Sequence, residues 1–366
     1  MPIGDEKLML IDHPMVLKTL WYFFFKIIIK SSLFFYTKKI EVIGKDHIPT
    51  KGAVLFVVNH PNGLIDPLIV AVNNPRIQHF LVRAAVFKKP LVKKFLSTLN
   101  LMPIYRIRDG IEQLGKNQKI FEQCFSILNS QKALMIFPEG SHDKRRTIRP
   151  ISKGFSRIVF GALERNPKLK IQIIPVGITY DNPSKFPTKV CLHYGKPITA
   201  NNYYKIDDLN NEIKKLKKSI SNQMESLSVH IPADKNYQHI LDKLKEANVD
   251  FTQVNEINMM IKSGNIISQK RKVSRVGFLK PLIILNSIIP WLIWKYVEKK
   301  VDEFEFIDTF RYGIGTLSFG LFYLAQSCIV ASLYHWEIGL LYLSGSLILV
   351  LFYTKFHIIQ KQSPLE

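Results

Sequence analysis

The sequence predicts an α/β fold with a mostly parallel sheet flanked by helices, an N-terminal helix at the membrane interface and C-terminal transmembrane helices. Three observations predict it. Short apolar runs alternate with helix-period segments between about residues 50 and 200. Two long uncharged segments follow near the C-terminal end. The net charge is +22 in a chain of 366 residues that is 47% hydrophobic, which excludes a disordered chain and indicates an anionic partner.

The first region, residues 1–45, contains a predicted membrane-associated amphipathic helix at residues 20–36. Its aromatic and aliphatic runs are interrupted by lysines. At about 100° per residue, Lys18, Lys26 and Lys30 fall on about one third of the helix circumference. This pattern predicts a helix lying in the interface with its lysines among lipid phosphates. A tilted span with snorkelling lysines is the alternative.

The second region, residues 46–205, is predicted to be the α/β domain, and a helical extension is predicted at residues 206–270. Buried strands are predicted for four apolar runs, at residues 53–58, 79–82, 134–137 and 171–174. Residues 111–128 carry apolar side chains at helical spacing between two of these runs. Strands that alternate with helices form parallel sheets, since a parallel connection needs a long crossover.

The last region, residues 271–366, is predicted to hold a transmembrane hairpin formed by residues 312–336 and 338–354. Only Glu337 separates the two uncharged segments, which places it at the tip of the hairpin. Basic residues lie at both distal ends, and the positive-inside rule therefore places those ends in the cytoplasm. They are Arg311, Lys355, His357 and Lys361. The shorter uncharged segment at 281–294 lies between basic clusters and is interpreted as re-entrant or interface-lying.

This topology can be tested by cysteine labelling. A cysteine introduced at Glu337 should react with a membrane-impermeant thiol reagent in intact cells, because the hairpin tip is predicted to lie outside. A cysteine introduced at Ser363 should react only after the membrane is opened. Labelling of the Ser363→Cys variant in sealed cells would overturn the hairpin or its orientation.

Polar residues follow two of the predicted strands, at the edge of the sheet where open α/β proteins bind ligands. His60 and Asp66 come after the run at 53–58, beside Asn59 and a Pro-Asn-Gly turn. A carboxylate on one ring nitrogen would fix the histidine tautomer and leave the other nitrogen free as a base. Capping and turn roles are the structural alternative for this pair.

Three further stretches belong to the same pattern. Glu139, Gly140 and Ser141 follow the run at 134–137. Arg106 stands at the end of another apolar run, at residues 101–106, and its guanidinium suits a phosphate. Pro175 lies within the last strand, where its missing N–H predicts an edge strand or a bulge. A solvated turn and a surface arginine are the alternatives when each stretch is taken alone.

Together, the four blocks resemble the glycerolphosphate acyltransferase superfamily, over about residues 50 to 200. Members carry a His-Asp block, an arginine block, a Phe-Pro-Glu-Gly block and a proline-containing strand in this order. The resemblance implies that His60 is the base and Asp66 orients it. It implies that Arg106 and the loop of Glu139, Gly140 and Ser141 hold the phosphate of the acceptor. It implies that Pro175 shapes the acyl-donor side.

Two departures from the common family pattern bear on specificity. The first block is His-x5-Asp, one residue longer than the common form, and resembles the fungal glycerol-3-phosphate and dihydroxyacetone-phosphate acyltransferases and related bacterial proteins. His142 stands where an arginine is usual, and Arg145, Arg146 or Lys153 would supply the lost charge.

The resemblance implies a membrane-bound acyltransferase with its catalytic domain on the cytoplasmic side. It would use acyl-CoA or acyl-acyl carrier protein as co-substrate, with no bound cofactor and no metal. The expected partners are anionic membrane lipids, the acyl donor and a phosphorylated glycerol acceptor. Glycerol 3-phosphate is the expected acceptor, and lysophosphatidic acid or another lysophospholipid is the alternative. A basic nucleic-acid-binding or tethering protein is disfavoured, because the aromatic residues cluster in apolar segments and not among basic ones.

Overall fold

The computed structural model describes residues 13–106, 110–269, 277–301 and 306–356. His357, Lys361 and Ser363, on which part of the topology prediction depends, lie outside the described residues. All of the predicted site residues lie within them.

The centre of the fold is a sheet of eight described strands in the order β1-β7-β6-β2-β5-β3-β4, with β8 paired to β6. The pairs are parallel except those of β6 with β7 and β8, which confirms the predicted mostly parallel sheet. The strands are β1 Lys39–Ile43, β2 Ala53–Val58, β3 Gln78–Arg83, β4 Leu101–Ile104, β5 Ala133–Ile136, β6 Ile171–Tyr180, β7 Lys189–Tyr194 and β8 Ile198–Thr199.

Helices flank this sheet and extend beyond it. The first six are α1 His13–Tyr36, α2 Ile65–Val72, α3 Pro90–Thr98, α4 Asn117–Asn129, α5 Gly154–Arg165 and α6 Leu209–Leu227. The others are α7 Tyr237–Glu246, α8 Val254–Ser263, α9 Leu279–Asn286, α10 Ile288–Glu298, α11 Ile307–Leu333 and α12 Trp336–Phe356. The short 3₁₀ helix Ala84–Phe87 precedes α3.

The two faces of the sheet have different neighbours. Every residue of β2 is buried, and side chains alternate along a strand, so Leu55 packs with α4, α5 and α6 while Phe56 packs with α1 and α2. Tyr312 of α11 belongs to the second cluster as well. The apolar N-terminal helix and the foot of the C-terminal hairpin therefore lie on one face of the sheet, and α6 lies on the other.

The predicted hairpin is present as α11 and α12, which break at residues 334–335. The tip therefore precedes the predicted position, and Glu337 lies in the first turn of α12. Both are long and apolar enough to cross a membrane, and only 11% and 22% of their most apolar windows are buried. A helix of a soluble core would be buried, so these two present their apolar side chains outward. Gly339 permits the close packing, because a Cβ there would lie 2.7 Å from the Cβ of Ala331.

The segment predicted at 281–294 forms two helices that break at Ser287. Ser287 hydrogen-bonds Tyr323 at 2.6 Å, whereas Trp294 lies under the guanidinium of Arg311 at 5.3 Å. Tyr323 and Arg311 are about 18 Å apart along α11 at 1.5 Å per residue. Helix α10 therefore runs antiparallel to the first part of α11. The segment therefore packs along the candidate span α11.

The lysines of α1 do not all point into the interface as expected. Lys26 is partly buried and its ammonium donates to the carbonyl of Asn74 at the end of α2. Lys18 and Lys30 are exposed. The ammonium of Lys355 at the end of α12 donates to the carbonyls of Phe34 at 2.6 Å and Thr37 at 2.8 Å. The end of α1 is thus joined to the end of the hairpin.

Pro175 is not on an edge strand, because β6 lies between β2 and the pair β7 and β8. Its missing N–H falls where the partner of β6 changes from β8, paired at residues 172–173, to β7, paired at 176–180. The carbonyl of Pro175 accepts the N–H of Gly195, which connects β7 to β8. A proline is tolerated in this internal strand because the ladder is interrupted there.

Candidate active site

The site begins where β2 ends. Asn59 is buried, and its side-chain amide donates to the carbonyl of Ile178 at 3.1 Å while its side-chain oxygen accepts the N–H of Ile178 at 2.7 Å. Both bonds attach the end of β2 to the neighbouring strand β6. The chain therefore leaves the sheet in a fixed direction, and the next residue is His60.

His60 and Asp66 are brought together as predicted. Nδ1 of His60 lies 2.8 Å from Oδ2 of Asp66, which is fully buried in the first turn of α2. The same oxygen accepts the backbone N–H of Asn62 at 2.6 Å, and the other accepts the hydroxyl of Tyr180 at 2.7 Å. The carboxylate thus has hydrogen-bond partners on both oxygens, and the Pro-Asn-Gly turn supplies one of them.

The electrostatics of this pair favour one histidine tautomer. Burial raises the pKa of Asp66, and the hydrogen bonds from His60, Tyr180 and the N–H of Asn62 act in the opposite direction. Burial and the neighbouring Asp66 raise the pKa of Tyr180 well above its ordinary value, so Tyr180 remains a neutral donor. A carboxylate on Nδ1 of His60 leaves Nε2 as the nitrogen available to a substrate.

The loop after β5 covers His60. The ring of Phe137 stacks on the imidazole with 4.1 Å between centroids, and the ring of His142 approaches it edge-on at 5.8 Å. The N–H of Asp143 donates to the carbonyl of His60 at 2.9 Å. The loops that follow β2 and β5 therefore form one structure, as expected for neighbouring parallel strands.

Glu139 and Ser141 are organised by Arg149, which sequence reasoning missed. The guanidinium donates to Oε2 of Glu139 at 2.9 Å and to Oγ of Ser141 at 2.7 Å, and also to the carbonyl of Ser141. The Glu139 side chain is only 3% exposed. Burial raises the pKa of Glu139, and Arg149 opposes that shift. An arginine ten residues beyond Glu139 follows no spacing rule, so the sequence held no signal for it.

Arg106 reaches the same loop. Its Nη1 donates to the carbonyl of Gly140 at 3.1 Å. Gly140 has φ +76°, a left-handed conformation that a glycine adopts without strain. The arginine block and the Phe-Pro-Glu-Gly block are therefore adjacent, as the sequence predicted.

The remaining predicted residues lie around this centre. Arg145 is paired with Asp143 at 2.7 Å and is largely exposed. Arg146 donates to the carbonyls of Tyr180 and Asp181 at 2.8 Å each. Lys153 is exposed at the start of α5. Unlike these three residues, Arg149 contacts Glu139 and Ser141 directly.

The foot of the membrane hairpin also contacts the His60 loop, which the sequence did not predict. Asp308 is 3% exposed, and Arg311 donates to it at 3.0 Å. Lys144, from the loop after β5, lies 3.4 Å from Asp308, and the side-chain amide of Asn62 lies 3.5 Å from it. The carboxylate therefore links α11 to both loops of the site.

Two further contacts join the same elements. The N–H of Leu64 donates to Oγ1 of Thr309 at 3.2 Å, and a Cβ at Gly63 would lie 3.3 Å from that oxygen. The ring of Phe306 packs edge-on against His142 at 4.8 Å. Residues 306–309 thus form one wall of the site.

Within the described ranges, no group of three or more histidine, cysteine, aspartate or glutamate side chains is arranged to hold a metal ion. The arrangement offers a histidine whose Nδ1 faces a buried carboxylate, and the guanidinium groups of Arg106 and Arg149 contact the neighbouring loop after β5. Such a centre suits proton abstraction from a hydroxyl of an anionic substrate.

The described fold combines a mostly parallel α/β sheet, a buried His-Asp pair at the carboxyl edge of that sheet, and an apolar helical hairpin. Residues 39–179 match the Acyltransferase family model. For this segment, the predicted resemblance to the glycerolphosphate and acylglycerolphosphate acyltransferase superfamily is confirmed.

Several characterised proteins are similar to part of the chain. Glycerol-3-phosphate O-acyltransferase 2 of Saccharomyces cerevisiae is 30% identical over 119 residues, which are 32% of this chain and 16% of the yeast protein. Glycerol-3-phosphate O-acyltransferase 1 of the same yeast is 25% identical over 115 residues, 30% of this chain and 15% of its own length. The chain therefore spans about one sixth of the length of these relatives.

Among solved structures, the 1-acyl-sn-glycerophosphate (LPA) acyltransferase of Thermotoga maritima superposes with a TM-score of 0.43. Its sequence identity to this chain is 16%, and the superposition covers 58% of this chain and 83% of the bacterial one.

The pair of Arg149 and Glu139 makes a testable contribution to stability. Arg149→Met should destabilise the fold by about 3–5 kcal/mol, because it leaves a buried carboxylate without its cation. Since burial raises the pKa of Glu139, its protonation favours the folded state, and this loss should shrink as the pH is lowered. Urea unfolding in detergent at neutral and acidic pH measures both effects.

The matched control is the double variant Arg149→Met/Glu139→Gln, in which the neutral amide is cheaper to bury. It should recover most of the lost free energy of unfolding. Equal unfolding midpoints for the single and double variants would contradict the assignment of the loss to this pair.

Proposed function

We propose that this chain is a membrane-bound O-acyltransferase that moves a fatty acyl group from an acyl thioester to a hydroxyl of glycerol 3-phosphate or dihydroxyacetone phosphate. The observation that carries the proposal is the 2.8 Å contact between His60 Nδ1 and the fully buried Asp66. The family of residues 39–179 supports acyl transfer, and the yeast relatives named as glycerol-3-phosphate acyltransferases support the acceptor.

The reaction needs one base and no protein nucleophile. His60 Nε2 takes the proton of the acceptor hydroxyl as that oxygen attacks the thioester carbonyl. A C–O bond forms, and backbone N–H groups stabilise the oxyanion. The C–S bond then breaks, and the thiolate leaves with the proton that His60 acquired. Asp66 is a positioning residue: it keeps Nδ1 protonated and stabilises the imidazolium during the step.

The acceptor phosphate would bind at the loop after β5. Arg106 lies against the carbonyl of Gly140, and Arg149 lies against Glu139 and Ser141. The Glu139 carboxylate is buried against Arg149, so we assign it the orientation of that guanidinium and not a direct contact with phosphate. Asn59 holds the base loop, and His142, Arg145, Lys153 and Pro175 are proposed as supporting residues.

The placement at a membrane follows from the chemistry of the donor. The fatty chain of an acyl-CoA or acyl-acyl carrier protein must enter or leave lipid, and the apolar hairpin starts, with α11, beside the His60 loop. With both hairpin ends on the basic side, the catalytic domain would face the cytoplasm, where acyl thioesters are made. The N-terminal helix α1, with exposed apolar side chains, would lie in the interface.

The decisive assay offers the purified full chain a labelled acyl donor with glycerol 3-phosphate or lysophosphatidic acid as acceptor. Transfer to glycerol 3-phosphate is expected. Transfer to lysophosphatidic acid alone would replace the acceptor and leave the base and its orienting carboxylate unchanged. Transfer to neither would contradict the proposal.

His60→Ala should lower turnover by about 10²–10⁴-fold, which is the usual contribution of a general base. Asp66→Asn should cost less, because it keeps the histidine but removes the carboxylate that sets the tautomer. His239→Ala is the matched control, since it removes an exposed imidazole on α7 that takes no part in the proposed site. Near-normal turnover of the His60→Ala variant, with its unfolding midpoint unchanged, would contradict this mechanism.

Arg106→Lys should raise the KM for the phosphorylated acceptor more than the KM for the acyl donor. The lysine keeps the charge but loses the planar fork that suits a phosphate. Steady-state kinetics with each substrate varied in turn measures the split. Equal changes for both substrates would assign Arg106 a structural role.

A further inference from the structure

The segment between β3 and β4, made of the 3₁₀ helix Ala84–Phe87 and α3, is unusually exposed. Helix α3 has no buried residue. Leu91 is 83% exposed and Phe95 43%, and Val86 and Val92 are exposed as well. An isolated helix of nine residues is marginal in water, and large apolar side chains that face solvent are unfavourable. Something other than the described residues is expected to cover them.

The charges of this segment all have one sign. Residues 84–98 contain four exposed lysines and no acidic residue. At about 100° per residue, the apolar side chains of α3 span an arc of about 140°, and Lys93 and Lys94 lie one on each side of that arc. The other two lysines, Lys88 and Lys89, precede the helix. An apolar arc bordered by lysines is the pattern of a helix that lies on a bilayer surface.

Contacts place α3 beside the elements that already point to a membrane. The indole N–H of Trp21 on α1 donates to Oγ1 of Thr98 at 2.9 Å, and the rings of Phe25 and Phe95 pack edge-on at 5.4 Å. About 16 Å further along α1, at 1.5 Å per residue, Ser32 hydrogen-bonds Tyr312 at the foot of the hairpin. Helix α1 therefore connects α3 to the hairpin.

We propose that residues 84–98 form a second membrane-contact site, which lays the apolar arc of α3 into an anionic lipid surface with its lysines among the phosphates. The charge pattern and the continuity with α1 favour lipid over a second copy of the chain. This inference does not rest on acyl transfer. Leu91 and Phe95 would anchor the edge strand β4, which precedes Arg106, and its neighbour β3 to the bilayer.

The test is the environment of a fluorophore on α3 in the full chain. Exposed Cys328 is replaced by serine, and Cys124 and Cys191 are buried. Leu91→Cys is labelled with an environment-sensitive dye, and the protein is reconstituted into vesicles of phosphatidylcholine, with or without phosphatidylglycerol. Asn222→Cys is the matched control, because it is exposed on α6, on the opposite face of the sheet.

The dye at position 91 should shift to the blue and be quenched by doxyl-labelled lipids, more strongly in the vesicles with phosphatidylglycerol. The dye at position 222 should report water in both. Lys93→Gln/Lys94→Gln should remove the additional effect of phosphatidylglycerol. Water-like emission at position 91 overturns the proposal. A blue shift that grows with protein density and escapes lipid quenching overturns it in favour of a second copy, and equal shifts in the two vesicles overturn the anionic assignment.

Discussion

The buried carboxylate of Asp66 is the point on which the site depends. A charge taken out of water is costly unless hydrogen bonds replace its hydration, and here three donors come from two parts of the fold. The loop after β2 supplies His60 and the N–H of Asn62, and the end of β6 supplies the Tyr180 hydroxyl. Each of these groups can satisfy the carboxylate only if β2, α2 and β6 are correctly packed. The same hydrogen bonds that stabilise the fold therefore fix the orientation of the His60 ring.

The parallel sheet explains why the other groups lie nearby. The carboxyl ends of the parallel strands β2, β5 and β4 open on one edge of the sheet. Residues far apart in the sequence, such as His60, Glu139 and Arg106, therefore lie at the same edge. The two faces of the sheet then separate two environments. Helices α4, α5 and α6 cover one face, whereas the other carries α1 and the foot of α11. The same sheet thus holds the polar site residues at one edge and the apolar helices α1 and α11 on one face.

Much of this arrangement could be predicted from local patterns. Buried strands such as 53–58 and the uncharged segments of the hairpin are recorded in the sequence as runs of like residues, and the Pro-Asn-Gly turn indicated that Asp66 could return to His60. The partners of these groups were less visible. Tyr180 could have been found, since it ends the strand beside β2. Arg149 lies ten residues after Glu139, a spacing that no rule marks, and Asp308 acts through long-range packing. The prediction of an edge strand at Pro175 was wrong because the sequence does not show which strands pair with β6. The ladder is interrupted at Pro175 where the partner of β6 changes.

The contacts of Asp308 and Thr309 with the His60 loop give the hairpin a role beyond attachment. A fragment that ended before residue 306, made by proteolysis or from a shortened gene, would keep both His60 and Asp66. It would nevertheless open one wall of the site to water and leave Lys144 without its buried carboxylate. Soluble fragments of this chain would therefore be poor surrogates for drug screening or crystallisation, since the pocket they present would lack its lipid-side boundary.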